Sequence, residues 1–152
     1  MVQFSPEATI YLADNASTDR SVSYVTENFP AVKVIINAEN GGYAKGYNDA
    51  LSGLGEDIFL LLNSDVQVTP HWLEPILYIF KTRAEVAAVQ PKILDYKNPE
   101  YFEYAGAAGG YIDRFGYPFC RGRIFNHLEK DIGQYDEETV IFWASGACLA
   151  IR

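Results

Sequence analysis

A run of five apolar residues that stops abruptly on polar ones is the feature that most constrains this sequence. The run extends from Ile58 to Leu62, and Asn63, Ser64 and Asp65 follow it at once. Its length and composition are typical of a strand buried on both faces of a parallel sheet. Ligands bind at the carboxyl ends of strands in open α/β sheets, so a carboxylate here predicts a binding rim. The competing interpretation is a polar exit from the strand into a loop.

Strand and helix patterns alternate through the first part of the chain and predict an α/β fold with a mostly parallel sheet flanked by helices. Apolar residues recur at helical spacing in each interval between the strands, and Ser17 or Thr18 and then Thr69 are the expected helix caps. Because carboxyl ends of parallel strands meet at one edge, we expect Asp14, the loop at 40–42 and Asp65 to converge there. The four expected strands are 8–13, 32–36, 58–62 and 86–89.

The pattern changes after Pro91. Residues 92–138 are rich in Gly, Tyr and charged residues and have no sustained helical period. Such a long irregular segment in a compact domain predicts a functional loop or a lid. Two short strands are expected after it, at 140–143 and 147–151.

Composition excludes several classes of protein. The chain of 152 residues has a formal net charge of −8 and no Lys/Arg cluster, which argues against a general nucleic-acid binder. Cys120 and Cys148 are too few and too far apart for a disulfide framework or a zinc motif, which favours a reducing compartment. The apolar runs are too short for a membrane span. We therefore expect one domain, 1–152, in a cytoplasmic protein, either in solution or at the inner face of the membrane.

Three common phosphate-binding motifs are absent. There is no Gly-x-Gly-x-x-Gly and no Gly-Lys-Ser/Thr, and Asn63 occupies the position where a haloacid-dehalogenase-type phosphatase needs a nucleophilic Asp. The carboxylates at the strand ends remain. Asp14 could accept hydrogen bonds from a base or a ribose, and Asp65 could hold a divalent cation that bridges a diphosphate.

Four segments, in this order, resemble the inverting family 2 glycosyltransferases with the GT-A fold, especially the rhamnosyltransferase-like branch. Each segment is weak evidence alone, but the ordered set is specific. The resemblance implies a nucleotide-diphospho-sugar transferase fold that is incomplete at both ends. The family's first strand does not precede the first segment, and the family's catalytic-base motif is expected beyond Arg152. The chain is thus interpreted as an internal fragment. The segments are 14–19, 40–48, 62–66 and 143–149.

The resemblance implies a donor site, with Asp14 at the nucleotide base and Asp65 as the ligand of a divalent cation, Mn or Mg, in a DxD-type motif. Asn63 departs from the commoner Asp at the first position of that motif, so Asp65 is its only carboxylate. The catalytic base is unknown and expected beyond Arg152. The expected nucleotide-sugar-binding residues are Asp14, Asn15, Asn40, Gly42, Asn48, Asn63 and Asp65. The expected acceptor-side residues are Trp143, Ser145 and Gly146.

Other charged residues in the second half have simpler interpretations. Arg121 and Arg123 could bind a donor or acceptor phosphate, but surface or ion-pair roles are commoner for such residues. The remaining carboxylates are interpreted as solvated surface groups on base rates for charged residues. These carboxylates are Asp113, Asp136, Glu137 and Glu138.

The implied reaction is transfer of a sugar, with inversion, from a nucleoside-diphosphate sugar to a hydroxyl of a glycan or lipid-linked acceptor, in cell-surface polysaccharide or glycan synthesis. Rhamnose from a thymidine diphosphate donor is the guess by resemblance. Residues 1–91 would be the nucleotide-binding half, and 92–152 the acceptor-side loops and strands. Without the family's first strand, we expect poor stability or self-association. Two alternatives stay open: a nucleotidyltransferase, and a non-catalytic nucleotide-sugar-binding module.

Overall fold

The computed structural model describes residues 1–104 and 107–152 and confirms an α/β chain. The chain forms two compact units, Met1–Glu56 and Asp57–Arg152, each with its own sheet structure. Ala105 and Gly106, which belong to the predicted irregular segment, lie outside the described residues. Within the described part, no helix has both the length and the apolar character needed to cross a membrane. The functional division at residue 91 stays a prediction.

The first unit is a small parallel βαβα arrangement. Its strands β1 and β2 pair in parallel, with Asp14 opposite Ile36. Helix α2 buries Gly46 and Ala50, which lie one turn apart on the same face. After a single 3₁₀ turn at Val2–Phe4, the elements are β1 (Tyr11–Asp14), α1 (Ser21–Asn28), β2 (Lys33–Ile36) and α2 (Gly42–Leu51).

In its described residues, the second unit contains a three-stranded sheet, one helix and a four-stranded sheet. Helix α3 buries Leu73, Ile76 and Phe80, and the last two pack with Ala150 in one core cluster. The elements are β3 (Phe59–Leu62), α3 (Leu73–Thr82), β4 (Ala88–Val89), β5 (Gly110–Ile112), β6 (Pro118–Cys120), β7 (Arg123–Ile124), β8 (His127–Leu128) and β9 (Cys148–Ile151).

The predicted mostly parallel sheet is not confirmed. In the described residues the only parallel strand pair is β1–β2; β9 lies between β3 and β4 and is antiparallel to both. Strands β1 and β2 therefore belong to one sheet and β3 to another, so the three predicted strand ends do not share a single sheet edge. The alternation of strands and helices could not reveal this. Strand β9, about 60 residues further along the chain than β4, takes the place between its two neighbours.

Residues 92–138 are more regular than predicted. They contain the antiparallel sheet β5-β6-β7-β8, whose strands of two or three residues are too short to give a readable alternation. Conversely, the predicted strand at 140–143 is wrong. That segment has no named strand and forms a single isolated bridge, Gly110 with Trp143.

The predicted helix caps are also wrong. Helix α1 begins after Arg20, not after Ser17 or Thr18, because the backbone N–H of Ser17 donates to the Asp14 carboxylate in the preceding loop. Helix α3 begins after Trp72 and has no side-chain cap. Residues 70–72 form a turn between Thr69 and that helix, with φ of 63° at His71.

Candidate functional site

Asp14 is a buried carboxylate at the carboxyl end of β1, with 5% of its surface exposed. Its main-chain carbonyl accepts the Asn37 N–H at 2.9 Å, and its Oδ2 accepts the Ser17 N–H at 3.0 Å. Among the described residues, no cation pairs with this carboxylate. Burying a charge without a partner is costly. The position is therefore suited to a carboxylate that accepts further hydrogen bonds from a ligand.

Three asparagine side chains tie the ends of β1 and β2 to the start of α2. The amide of Asn15 donates to Asn40 Oδ1 at 2.8 Å and to the Gly42 carbonyl at 3.2 Å. The buried amide of Asn37 donates to Asn15 Oδ1 at 3.3 Å and to the Gly46 carbonyl at 2.9 Å. We call Asn15, Asn37 and Asn40 the asparagine network. It fixes the backbone beside Asp14 with side-chain hydrogen bonds.

Two glycines of the 40–48 segment, Gly42 and Gly46, lie beside the asparagine network. Gly42 has φ of 77°, a left-handed conformation that favours glycine, and its N–H donates to Asn40 Oδ1 at 3.0 Å. A Cβ at Gly46 would stand 3.0 Å from the amide atoms of Asn15. A side chain at Gly46 would therefore press on the network.

Asn48 does not join the other predicted donor residues of this unit. It is exposed and lies about 200° around α2 from both Gly46 and Ala50, on the opposite face. Lys45 is engaged elsewhere. It forms ion pairs with Asp49 at 2.6 Å and Glu39 at 3.4 Å, and these hydrogen bonds, Asp49 first, raise the pKa of Lys45.

Asn37 is the site residue that sequence reasoning missed. A signal was present, because Asn37 follows the apolar strand β2 as directly as Asn63 follows β3. A polar residue immediately after a buried strand was used as evidence at Asn63 but not at Asn37. Burial then gives Asn37 its importance, since only 7% of its surface is exposed.

Asp65 lies in a tight turn directly after β3. The N–H of Asn63 donates to the Ala147 carbonyl at 3.0 Å, which extends the β3–β9 pairing by one residue, and its carbonyl accepts the Val66 N–H at 3.2 Å. Asp65 itself is exposed, and no described residue pairs with or hydrogen-bonds its carboxylate. A fixed strand end thus presents a free carboxylate to solvent.

The described residues fit a divalent cation only together with a ligand's oxygens. Within 1–104 and 107–152 no group of three or more His, Cys, Asp or Glu side chains could hold a metal ion. Mg²⁺ is commonly held by one or two carboxylates plus substrate phosphates and water. Asp65 can supply the one carboxylate ligand, provided that the oxygens of a bound diphosphate supply the other ligands.

The predicted acceptor-side residues Trp143 and Ser145 are hydrogen-bonded to β5 and to the residue that follows β4. The Ser145 N–H donates to Gln90 Oε1 at 2.6 Å, just beyond β4. The Trp143 indole donates to the Tyr111 carbonyl in β5 at 2.9 Å, and a Cβ at Gly110 would overlap its ring. Gly146 follows Ser145 and is half-buried.

The remaining carboxylates of this half have visible structural or surface roles. The Asp113 carboxylate accepts the N–H groups of Phe115 and Tyr117 in the β5–β6 hairpin. Asp136 pairs with Lys92, and Glu138 with Arg83. Glu137 is exposed.

A family comparison matches almost the whole chain. Residues 2–146 match the model of the family described as glycosyl transferase family 2. The chain belongs to this family, as its four sequence segments predicted. The family implies the GT-A fold of nucleotide-sugar transferases, with which the α/β architecture agrees.

Two curated relatives are similar to the chain. Both are named N-acetylglucosaminyl-diphospho-decaprenol L-rhamnosyltransferase, from Mycobacterium tuberculosis strains CDC 1551 / Oshkosh and ATCC 25618 / H37Rv. Each is 26% identical over 162 aligned residues, which cover 95% of this chain and 52% of the relative. The chain therefore spans about half the length of the curated relatives it matches. No solved structure matches it significantly.

Proposed function

We propose that this chain forms the donor-binding part of a transferase that moves a sugar from a nucleoside diphosphate to an acceptor hydroxyl, with inversion. Membership of glycosyl transferase family 2 supports sugar transfer. The similarity to two proteins named as rhamnosyltransferases of a lipid-linked substrate supports a lipid-linked or glycan acceptor and rhamnose as the sugar. The observation that carries the proposal is the free carboxylate of Asp65 at the end of β3.

The two strand-end carboxylates have different roles in this proposal. Asp14 accepts hydrogen bonds from the base or the ribose of the donor, since its Oδ2 accepts a single N–H from the described residues. The asparagine network keeps the end of β1 in place for that contact. Asp65, with Asn63 beside it, holds the divalent cation, Mn or Mg, that neutralises charge on the diphosphate.

Transfer is a single displacement at the anomeric carbon. The acceptor oxygen forms a bond to that carbon as the bond to the diphosphate oxygen breaks, and the electron pair leaves with the nucleoside diphosphate. A base removes the proton of the acceptor hydroxyl. We assign no base within the described residues, because Asp113, Asp136 and Glu138 are occupied by the contacts given above. Trp143, Ser145 and Gly146 are assigned to the acceptor side.

Family membership favours this function over the nucleotidyltransferase that the sequence left open. The products separate the two, because a nucleotidyltransferase releases pyrophosphate and a sugar transferase releases a nucleoside diphosphate. Turnover with an added acceptor separates the transferase from a module that only binds the nucleotide sugar.

Thermal melting tests the donor site directly. We expect deoxythymidine or uridine diphosphate with Mn²⁺ to raise the melting temperature of the natural chain, because a ligand that binds the folded state stabilises it. Asp65→Asn should abolish the rise that depends on the metal. Asp57→Asn is the matched control, because Asp57 is an exposed aspartate just before the other end of β3, and it should keep the full rise.

An equal loss in both variants would show only a general charge effect. If neither diphosphate shifts the melting temperature in the presence of Mn²⁺, and the chain extended at both ends also gives no shift, the proposal is wrong.

A further inference from the structure

A cleft of about 280 Å³ opens in the second unit beside Trp143. Its walls are mostly aromatic or aliphatic, and several of the side chains are well exposed. Phe125 is 91% exposed and Ile124 49%. The chief lining residues are Tyr104, Phe119, Arg123, Ile124, Phe125 and Trp143.

Arg123 is the one charged residue among the described residues that line the cleft. Its guanidinium carbon lies 3.7 Å from the centre of the Tyr104 ring, and its Nε donates to the Phe125 carbonyl at 2.9 Å. No carboxylate of the described residues pairs with it, although the whole chain carries a net charge of −8. Neither terminal nitrogen donates to a described residue, and such guanidinium donors match a phosphate.

Arg121, two residues earlier, has a purely structural role by comparison. Its Nε and Nη2 donate to the Ala108 carbonyl at 2.8 and 2.5 Å. Its guanidinium also lies over the rings of Tyr135 and Tyr111, at 4.9 and 5.6 Å. Among the described residues, Arg123 donates one hydrogen bond, and its side chain lines the cleft.

We propose that this cleft binds the isoprenoid diphosphate part of a lipid-linked acceptor. The apolar walls contact the isoprenoid chain, and Arg123 donates hydrogen bonds to a phosphate. An uncompensated cation among apolar walls is complementary to a ligand that is both anionic and apolar, whereas a neutral saccharide would use the aromatic rings and leave the charge unmatched. The inference rests on the proposed function and names the class of acceptor at its acceptor side.

Calorimetric titration of the natural chain tests the inference with three probes. Farnesyl diphosphate is used below the concentration at which it forms micelles, with farnesol and inorganic pyrophosphate as its apolar and anionic halves. All titrations contain saturating deoxythymidine diphosphate and Mn²⁺, so that the donor site is filled. We expect farnesyl diphosphate to bind at least about tenfold more tightly than either half.

Arg123→Gln should weaken farnesyl diphosphate binding by about tenfold or more, the loss expected for a charge-assisted contact. Arg114→Gln is the matched control, because Arg114 also lies over a ring, Phe115 at 4.6 Å, but does not line the cleft. It should leave binding unchanged. Phe125→Asn removes an exposed ring at φ of 51°, where Asn is tolerated. It should weaken farnesyl diphosphate binding but not pyrophosphate binding.

The outcomes are distinguishable from those of the donor test. Farnesyl diphosphate binding that is equal in Arg123→Gln and Arg114→Gln would overturn the inference. If the chain binds the nucleoside diphosphate but not farnesyl diphosphate, the inference fails while the proposed function stands. If neither the natural chain nor the chain extended at both ends binds either ligand, the proposed function fails as well.

Discussion

The two units fix their loops by different physical means. In Met1–Glu56, the loops after β1 and β2 are held by the amides of the asparagine network. In Asp57–Arg152, glycine backbone lies directly against rings. A Cβ at Gly110 would overlap Trp143, and one at Gly122 would overlap Phe102. The first unit should therefore be sensitive to the loss of a hydrogen-bonding group, and the second to the addition of a single methyl group.

The difference also separates structural from ligand-binding polar residues. The side chains of the asparagine network make hydrogen bonds within the protein, and removal of the buried Asn37 would leave its partners without their donor. The Asp65 carboxylate makes no hydrogen bond with the described residues. A polar residue that follows a strand can therefore stabilise the fold or bind a ligand, and its hydrogen-bond partners show which of the two roles it has.

The largest effect is expected for Gly122→Ala. The added methyl would overlap the ring of Phe102, which is only 1% exposed and has no room to move. Together with the left-handed φ of 87°, this should lower the free energy of unfolding by about 3 kcal/mol. Gly116→Ala isolates the backbone contribution, because Gly116 has φ of 88° and open space around its Cβ position. It should cost about 1 kcal/mol. Equal losses in urea denaturation would remove the role of the ring contact.

Asn37→Ala should be the next most damaging change. It removes the donor of two hydrogen bonds and leaves Gly46 O and Asn15 Oδ1 without that partner, at a cost of about 2 kcal/mol. Asn28→Ala is the control, since Asn28 is exposed and donates once, to the Tyr24 carbonyl; it should cost less than about 0.5 kcal/mol. A loss below 1 kcal/mol for Asn37→Ala in the same denaturation assay would mean that the network adds little stability.

A smaller effect on the free energy of unfolding is expected from the burial of Cys148 in strand β9. Burial raises the pKa of the Cys148 thiol to about 11 from its ordinary value of 9.0. The thiol has a higher pKa in the folded state than in the unfolded state, so its burial in the protonated form contributes to stability. That contribution is complete below pH 9 and is lost as pH rises toward 11. We expect the difference in unfolding free energy between the natural chain and Cys148→Ala to shrink by about 1 kcal/mol between pH 8 and pH 10. The subtraction cancels the titrations of Tyr and Lys that both proteins share, so a constant difference would contradict the prediction.

The sequence predicted the elements of the first unit well, because each is set by local signals. The apolar run at 32–36 and the glycines at 41–42 mark a strand and a helix start whatever the rest of the chain does. The position of β9 between β3 and β4 was not predictable in this way. It depends on pairing between residues about 60 to 90 positions apart, which no local pattern records.

The residues of the candidate site likewise fall into two groups, those that a local sequence signal predicts and those that depend on three-dimensional contacts. Asp14 and Asp65 were found because a carboxylate at a strand end is a visible signal. Arg123 was left as an open possibility, because its distinction from Arg121 lies in three-dimensional contacts. Both arginines lie between Phe119 and Phe125 in the sequence. Only the structure shows that Arg121 donates two hydrogen bonds to the Ala108 carbonyl, whereas Arg123 donates one, to the Phe125 carbonyl.

The smallest effect on stability is expected where the effect on binding is greatest. Asp65→Asn should change the free energy of unfolding by less than about 0.5 kcal/mol, because the carboxylate is exposed and contacts no described residue. The same variant should lose the metal-dependent binding of a nucleoside diphosphate. Asn37→Ala should show the reverse balance, with a large loss of stability measured in urea. If Asp65→Asn instead lost more than 1 kcal/mol of stability, its carboxylate would serve the fold as the asparagines do, and the contrast between the two units would disappear.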